Sequence, residues 1–459
     1  MAVGLDGLAS GLPTADLIAS LMAIEAVPQN LLKNSAIAAN TSVAALRALN
    51  GQIAALATLA GTTAKPGSLD FYSATSSSTK VTATATAGAE NSTLDIVVGK
   101  LAQSQVGVTA AMTQWSTPAV LTIVRADGTT KEITADSTSL DDVVAAVNAA
   151  GTGVTATKVA SGADANGVSQ FRLQFSGKDT GASSAFTVYS GSAADVSAGS
   201  ATDVLTQPGA AVIRTAQDAS VTLWAGTPAA QVLTSATNTF TDLLPGVSVT
   251  VSGASVDPVT ISVARDTTAS SAAAAAVVNA LNGVLAYIST RSVSTASTDA
   301  AGKPILSGGV FTGDNMTRVV SQKLLDAASA PVAGHSPSEY GISITKTGAM
   351  EFSAQKFAAA YEKDPVTVQA AVSEIASRIA SAASSASDKT TGTVSQKITG
   401  TQSTITNLND QVARWDDRLA TRKTNLQRMY SAFEVRMSNM NAQMTWLTSQ
   451  VDSLQAQKD

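Results

Sequence analysis

The sequence predicts an α+β multidomain protein. N- and C-terminal helices form a helical bundle and coiled-coil leg, and strand-rich antiparallel β domains are inserted in the middle. Three observations predict it. Apolar residues recur at helical spacing before Lys65 and again after Ser270. Between about Lys80 and Arg265 the pattern is alternation instead. Near the C-terminus nine apolar residues stand seven apart without a miss.

The first element is GLASGLPTADLIASLMAIEAVPQNLL, Gly7 to Leu32. Thr14 reads as an N-cap, and Asp16 in the first turn suits the positive end of the helix dipole. Leu17, Leu21 and Ile24 share one face, and Pro28 breaks or kinks the helix. A helix of about fourteen residues before Pro28 is marginal alone, so this segment is expected to be poorly ordered in the free protein. A second helix runs to about Ala60 on Leu46, Leu49, Ile53 and Leu56, and Lys65-Pro66-Gly67 ends it.

The strand region contains KVTATATA, LTIVRADGTTKEIT, FRLQF, GVSVTV and VTISVARD. Their inward candidates are Phe171, Leu173 and Phe175, then Val247, Val249 and Val251, then Val259, Ile261 and Val263. Asp127-Gly128 is a hairpin turn signal. One helix sits among the strands, with Ser139 and Asp142 resembling a capping box, Leu140, Val143, Val144 and Val147 as its apolar face, and Gly151 at its end.

Beyond Ser270 the helical period returns, interrupted by the hairpin YGISITKTGAMEF with its turn at Thr347-Gly348. Ala380 to Lys389 is rich in Ser and Ala and reads as a hinge. The heptad line then follows: Ile398, Ile405, Val412, Leu419, Leu426, Phe433, Met440, Leu447 and Leu454. Its companion positions change along the way. Leu408, Trp415 and Met429 follow a seam residue by three, whereas Met437, Met444 and Val451 follow one by four. The apolar stripe therefore rotates near Arg436, as on one helix of about 85 Å that faces different neighbours in its two halves. From Gln29 to Leu419 an intramolecular bundle accounts for the apolar positions. Over the last forty residues few elements remain to cover them, and the stripe reads as a partner surface.

Composition narrows the function. The 459 residues carry a net charge of -5 and no basic runs, so neither nucleic acid nor an anionic membrane surface is an expected partner. Hydrophobic residues make up 44% and aromatics only 4%, which permits folding around thin cores. Cys is absent, which removes disulfides, thiolate chemistry and most structural zinc sites. MAVGLD lacks the basic start of a Sec signal. The uncharged window from Asp266 to Arg291 is too rich in Ala, Ser, Thr and Asn for a membrane span, so no membrane insertion is expected.

Chemistry has little to stand on. His335 is the one histidine, in the loop-like APVAGHSPSEYG, where a solvated or locally bonded ring is the simpler reading than a base. GLDGLASGL and SGGVFTGDN lack the Lys-Ser/Thr of a phosphate loop. DANG at Asp164 to Gly167 lacks the downstream Glu of a calcium loop and reads as a turn. The adjacent pairs Asp141-Asp142 and Asp416-Asp417 point different ways on helices. No enzyme activity, cofactor or metal is expected.

The opening stretch, with Gly7-Leu8, Ser10-Gly11-Leu12, Leu21-Met22, Glu25, Pro28 and Leu31, resembles the start of the flagellar filament cap family, hook-associated protein 2. Pro13 stands where that family commonly has Asp. STLDIVVGKLAQSQV, SLDDVVAAVNAAGTGVTATKV with FRLQFSGKDTGASSAFTV, TNTFTDLLPGVSVTV, GVFTGDNMTRVVSQKL and YGISITKTGAMEFSAQKFAAAYEKDPVTV extend the resemblance over nearly the whole chain. Val147-Asn148 occupies the Ile-Asn pair of the hook-associated repeat, and the family's FV.aYN is only loosely kept in AVVNALNG.

The resemblance implies a structural cap, exported unfolded through the flagellar export channel and assembled as a ring, commonly a pentamer, at the filament tip. Implied partners are further copies of itself, flagellin, the hook–filament junction protein and a cytoplasmic export chaperone, with host mucin or another surface as a secondary partner. The expected leg comprises 1–33 and 415–459. Its contact residues are Leu17, Leu21, Ile24, Leu419, Leu426, Phe433, Met437, Met440, Met444, Leu447, Val451 and Leu454. The expected helical bundle comprises 34–75 and 300–414, one strand-rich domain 76–111 and 235–299, and a second 112–234. Competing readings are another flagellar axial protein, which would lack the GLASGL…LM.IE..P arrangement, and a surface adhesin.

Overall fold

The computed structural model describes residues 10–86, 88–298 and 302–455. The chain divides into two compact units: Asp70–Ser270, and the remainder up to Leu69 and from Ser271 onward. The described α-helices are α1 (Thr14–Glu25), α2 (Val27–Thr63), α3 (Leu140–Ala149), α4 (Ala193–Ala198), α5 (Thr267–Ser292), α6 (Asn315–Ser329), α7 (Ala354–Lys363), α8 (Pro365–Ser387) and α9 (Thr393–Gln455).

The helical unit is built on α2, α5, α6, α8 and the first turns of α9. Leu49, Ile53, Leu56, Leu281, Leu324, Phe357, Ile375 and Ile379 are buried together in one core. α2 and α5 are each long and apolar enough to cross a membrane, but their apolar faces supply Leu49, Ile53, Val277, Leu281 and Val284 to this core. Pro28 falls in the first turn of α2, where its missing N–H costs nothing, so the chain bends between α1 and α2 without losing a helical hydrogen bond. Thr14 is the first residue of α1 rather than its cap; Pro13 holds the cap position and has no capping side chain.

Several joints are fixed by carboxylates. Asp364 caps α8 through the Thr367 N–H, and Asp388 accepts from the backbone N–H groups of Thr390 and Thr391 between α8 and α9. Gly392 closes that turn, because a Cβ there would stand 2.5 Å from the Asp388 nitrogen. The Asn282 side chain donates to the Met350 carbonyl at 2.7 Å and accepts from its N–H at 2.8 Å, tying α5 to the hairpin Ile342–Ile344 and Met350–Phe352. Asn282→Ala leaves both Met350 groups without that partner and is expected to cost about 1–3 kcal/mol, read as a lower urea midpoint.

The hydrogen bonds from the Thr391 backbone and the Thr367 side chain lower the carboxyl pKa values of Asp388 and Asp364 respectively. A lowered folded pKa stabilises above the unfolded value and is lost as pH falls through the folded one. The thermal midpoint is therefore expected to fall only below about pH 4, with a smaller acid loss in Asp388→Asn, as read by circular dichroism across a pH series.

Asp70–Ser270 contains two cores. In the first, an antiparallel five-stranded sheet runs in the order Tyr72–Ser76, Val259–Arg265, Ser92–Lys100, Ala219–Leu223, Gln231–Ser235. A three-stranded sheet of Thr239–Leu244, Val247–Val251 and Val81–Ala85 contributes to the same core. The expected alternation holds here: Val247, Val249, Val251, Val259, Ile261 and Val263 are all buried. The second core lies between the sheet containing Val120–Arg125 and Phe186–Ser190 and the sheet containing Val154–Ala163 and Ser169–Gly177, with α3 against them. Leu173 and Phe175 are buried and Phe171 is half-buried. The Asp127-Gly128 turn forms as expected, with Asp127 accepting from the Thr129 N–H and Gly128 at φ 86°. Ser139 caps α3, but Asp142 accepts from the Ser137 hydroxyl instead of completing a capping box. Asn148 pairs both its amide groups with the Ala156 backbone, which joins α3 to its neighbouring strand.

Several expected assignments are corrected. The strand Tyr72–Ser76, placed up to residue 75 in the helical bundle 34–75, pairs with Val259–Arg265 in the first sheet, and Val106–Val108, placed in the first strand domain 76–111, pairs with Ser169–Gly177 in a sheet of the second core. Residues 271–292, placed with the strands in 235–299, form most of α5 and belong to the helical core, because Ala274, Val277, Val278, Leu281, Val284 and Ile288 pack there. Ala219–Leu223 and Gln231–Ser235, placed in the second strand domain 112–234, pair into the first sheet, where Val221 opposes Val98. Of the expected hinge Ala380–Lys389, only Asp388 and Lys389 fall in the joint before α9, and Ala380–Ser387 is helix. It continues α8, with Ala383 and Ala386 buried, since Ala is the strongest helix former and its small side chain lets helices approach.

Candidate partner surface

α9 carries the heptad line through three environments. Val394 is buried, and Ile398, Ile405 and Val412 are half-buried where α9 packs on α2 and α8. Leu419 is half-buried and Leu426 buried in the stretch that α1 covers. Beyond it Phe433, Met440 and Leu447 are 41%, 54% and 52% exposed. Of the companion positions, Met437 is half-buried and Met444 and Val451 are exposed. Leu454 lies in the helix, with its side chain outside the described residues. On α1, Leu17, Leu21 and Ile24 are exposed, and Ile18 is the buried apolar residue in contact with α9.

Polar rungs hold α1 and the start of α2 antiparallel to α9. The buried Gln29 donates through Nε2 to Asp416 at 2.5 Å and accepts from Lys33 at 3.2 Å. Arg422 Nε donates to Glu25 at 3.0 Å. The buried Glu434 accepts from the backbone N–H and the hydroxyl of Ser10. Gly11 follows at φ 68°, a left-handed turn that suits glycine and leads the chain into α1. Gly7-Leu8 lies outside the described residues. Polar partners at three heights fix register, which an apolar seam alone leaves free to slip by a turn.

These rungs were not legible beforehand. Asp416 read only as one of an adjacent acidic pair, and pairing partners nearly four hundred positions apart leave no local pattern. The available signal was position: Ser10 and Glu25 stand inside the opening motif, and both turn out to be rung residues.

The groups singled out as chemical candidates are accounted for locally among the described residues. His335 is exposed, and its Nδ1 stands 3.1 Å from Glu339, which caps the short turn Pro337–Tyr340. The Ser336 N–H and then His335 lower the Glu339 pKa, so the pair is explained by local structure. Among the described residues no cluster of three His, Asp or Glu is arranged to hold a metal. A 440 Å³ cleft in Asp70–Ser270 is lined by Gln105, Arg125, Phe186 and Asp203, but both amide groups of Gln105 are already bonded to the Phe186 backbone.

Comparison with known proteins places this geometry. The family models for the N-terminus and the C-terminus of flagellar hook-associated protein 2 match residues 10–105 and 216–442. The flagellar hook-associated protein 2 of Escherichia coli O157:H7 is 25% identical over 471 residues, spanning 97% of this chain and 97% of that protein. The crystal structure of the D1-D2-D3 domains of the flagellar cap protein FliD from Escherichia coli is similar with a TM-score of 0.59 at 24% identity, covering 78% of this chain and 99% of that one.

Proposed function

The chain belongs to the flagellar hook-associated protein 2 family, and from that membership we propose how its parts share the work of capping a filament. The protein is the structural cap at the distal tip of the bacterial flagellar filament. It is exported, self-associates, retains exported flagellin and promotes flagellin folding and insertion as the filament grows. The leg is α1 with the last turns of α9, meeting neighbouring copies and flagellin through Leu17, Leu21, Ile24, Leu419, Phe433, Met437, Met440, Met444, Leu447, Val451 and Leu454; Leu426, expected among these contacts from the sequence, is buried under α1 of its own chain and supports the leg from within. Asp70–Ser270 forms the plate over the filament mouth. The assembly is a ring, a pentamer by family habit, seated near the junction protein and delivered by an export chaperone. Adhesion to mucin or another host surface is a secondary role.

One observation supports the leg assignment above the others. Past Glu434, α9 carries Met440, Met444, Trp446, Leu447 and Val451 all exposed, and a line of large apolar side chains on a surface helix is unfavourable in water unless a partner covers it. The test is flagellin leakage from a strain lacking this gene. Leakage and missing filaments, restored by the full chain but not by one ending before Leu419, are the expected result. Normal filaments in the deletion strain would replace the cap reading with an accessory axial protein.

A further inference from the structure

We infer that the pair α1–α9 is a two-sided subunit contact in which the Leu17–Leu21–Ile24 ridge of one copy seats in the α1–α9 groove of the next. This deepens the leg reading above and rests on it.

The two surfaces occur on opposite flanks of one helix. Successive residues of α1 turn by about 100°, so the buried Thr14 and Ile18 define its line of contact with α9. Leu17, Leu21 and Ile24 fall to one side of that line, 41%, 37% and 69% exposed. Ala15, Ala19 and Met22 fall to the other side. There they line a groove of about 430 Å³ with Ile18 on α1 and with Leu419, Ala420, Lys423 and Gln427 on α9. The ridge is made of large branched side chains and the groove is floored by Ile18, Met22 and Leu419, with alanines leaving its space open. Each surface has the shape the other lacks.

Charge agrees with shape. Asp16 lies on the face of α1 turned away from α9 and Lys423 stands on the groove, and neither makes an ion pair among the described residues. The chain has no Lys or Arg before Lys33, while from Arg414 to Arg436 α9 carries six basic residues, Arg414, Arg418, Arg422, Lys423, Arg428 and Arg436, against three acidic ones, Asp416, Asp417 and Glu434, and so is positive on balance. An α1 ridge therefore approaches a neighbour's α9 with opposite charge, whereas ridge against ridge or α9 against α9 brings like charges together. A ridge on one flank and its groove on the other make a heterologous contact, which propagates around a ring and closes if the rotation allows. The occupant of the groove is thus a second copy of this chain.

The absence of native Cys makes cross-linking clean. Leu21→Cys and Ala420→Cys, on separate chains co-expressed in a strain lacking the native gene, would be treated on intact filaments with a short bismaleimide. A mixed cross-link that appears only when both chains are present is expected. A Leu21→Cys self-dimer, or no mixed product, overturns the contact. Asp16→Lys should lower the yield about fivefold, and Lys423→Glu on the partner chain should restore it. An undiminished yield in Asp16→Lys overturns the charge match. Flagellin in the same culture medium is read separately. Retained flagellin without the cross-link removes this contact and leaves the capping reading standing, whereas a native gene that does not restore retention removes the capping reading itself.

Discussion

Serine at Phe433, Met440, Met444 and Leu447 together leaves the protein folded and abolishes capping. All four side chains are exposed in the single chain, so the folding cost is limited to helix propensity, a few tenths of a kcal/mol each. The loss falls on assembly instead. A large apolar side chain contributes about 1.5–3 kcal/mol when its whole surface is buried, and these four have only about half of theirs left to cover, so together they amount to about 3–6 kcal/mol. Even the lower figure weakens binding by more than about a hundredfold. Monomeric flagellin should appear in the medium, filaments should be missing, and helical circular dichroism should be unchanged. Normal filament length in this variant would remove the leg assignment, whereas loss of helix would mean that these residues support the fold. Leu426→Ser is the contrasting variant, because Leu426 is already buried where α1 covers α9.

That contrast also explains what was visible in the sequence. The seam from Ile398 to Leu447 is legible because a long helix meets its neighbours at a regular repeat, so the apolar positions keep a constant spacing whichever partner covers them. The spacing cannot say which partner. Among the described residues Val394 and Leu426 are buried by their own chain while Phe433 and Met440 are exposed, and where the N-terminal segment stops covering α9 decides where one regime gives way to the other. The strands Val247–Val251 and Val259–Arg265 were legible for a related reason, since one buried face imposes a period of two.

Assignments that depended on distant pairing were not legible. Ala219–Leu223 directly follows strands of the second core in sequence, yet its ladder partner is Ser92–Lys100. Nothing in the five residues distinguishes that partner from a nearer one. α5 was read as helical from Ser270 onward but assigned to the domain of the strand Val259–Arg265 that it directly follows, because a helical period does not say which core the helix packs against. The expected hinge Ala380–Lys389 misled for another reason: small residues mark either a flexible joint or a close helix contact. Here Ala380 stands 3.9 Å from the place a Gly61 Cβ would occupy, which identifies close packing against α2.

Replacing residues 74–263 by a two-residue Asn-Gly turn should yield a helical unit that folds alone. The chain leaves this unit after Leu69 and returns at Ser271, and the flanking residues already run as an antiparallel pair, with Tyr72 opposite Arg265 and Ser73 opposite Ala264. A hairpin turn closes such a pair at the cost of ordering two residues, and Asn-Gly matches the strand twist. The core of Leu49, Ile53, Leu281, Phe357 and Ile375 loses none of its members by the deletion. A single cooperative loss of helical signal on heating is expected, with the strand contribution reduced to the short hairpins Thr295–Thr298/Pro304–Ser307 and Ile342–Ile344/Met350–Phe352. In cells the truncated chain keeps α1 and all of α9, so it should still be recovered with filament tips, yet without Asp70–Ser270 over the mouth it should leak flagellin. Recovery at the tip with leakage separates seating from retention. Retention by the truncated chain would take the plate role away from Asp70–Ser270, and loss of helical structure would show that the helical unit depends on the domain inserted into it.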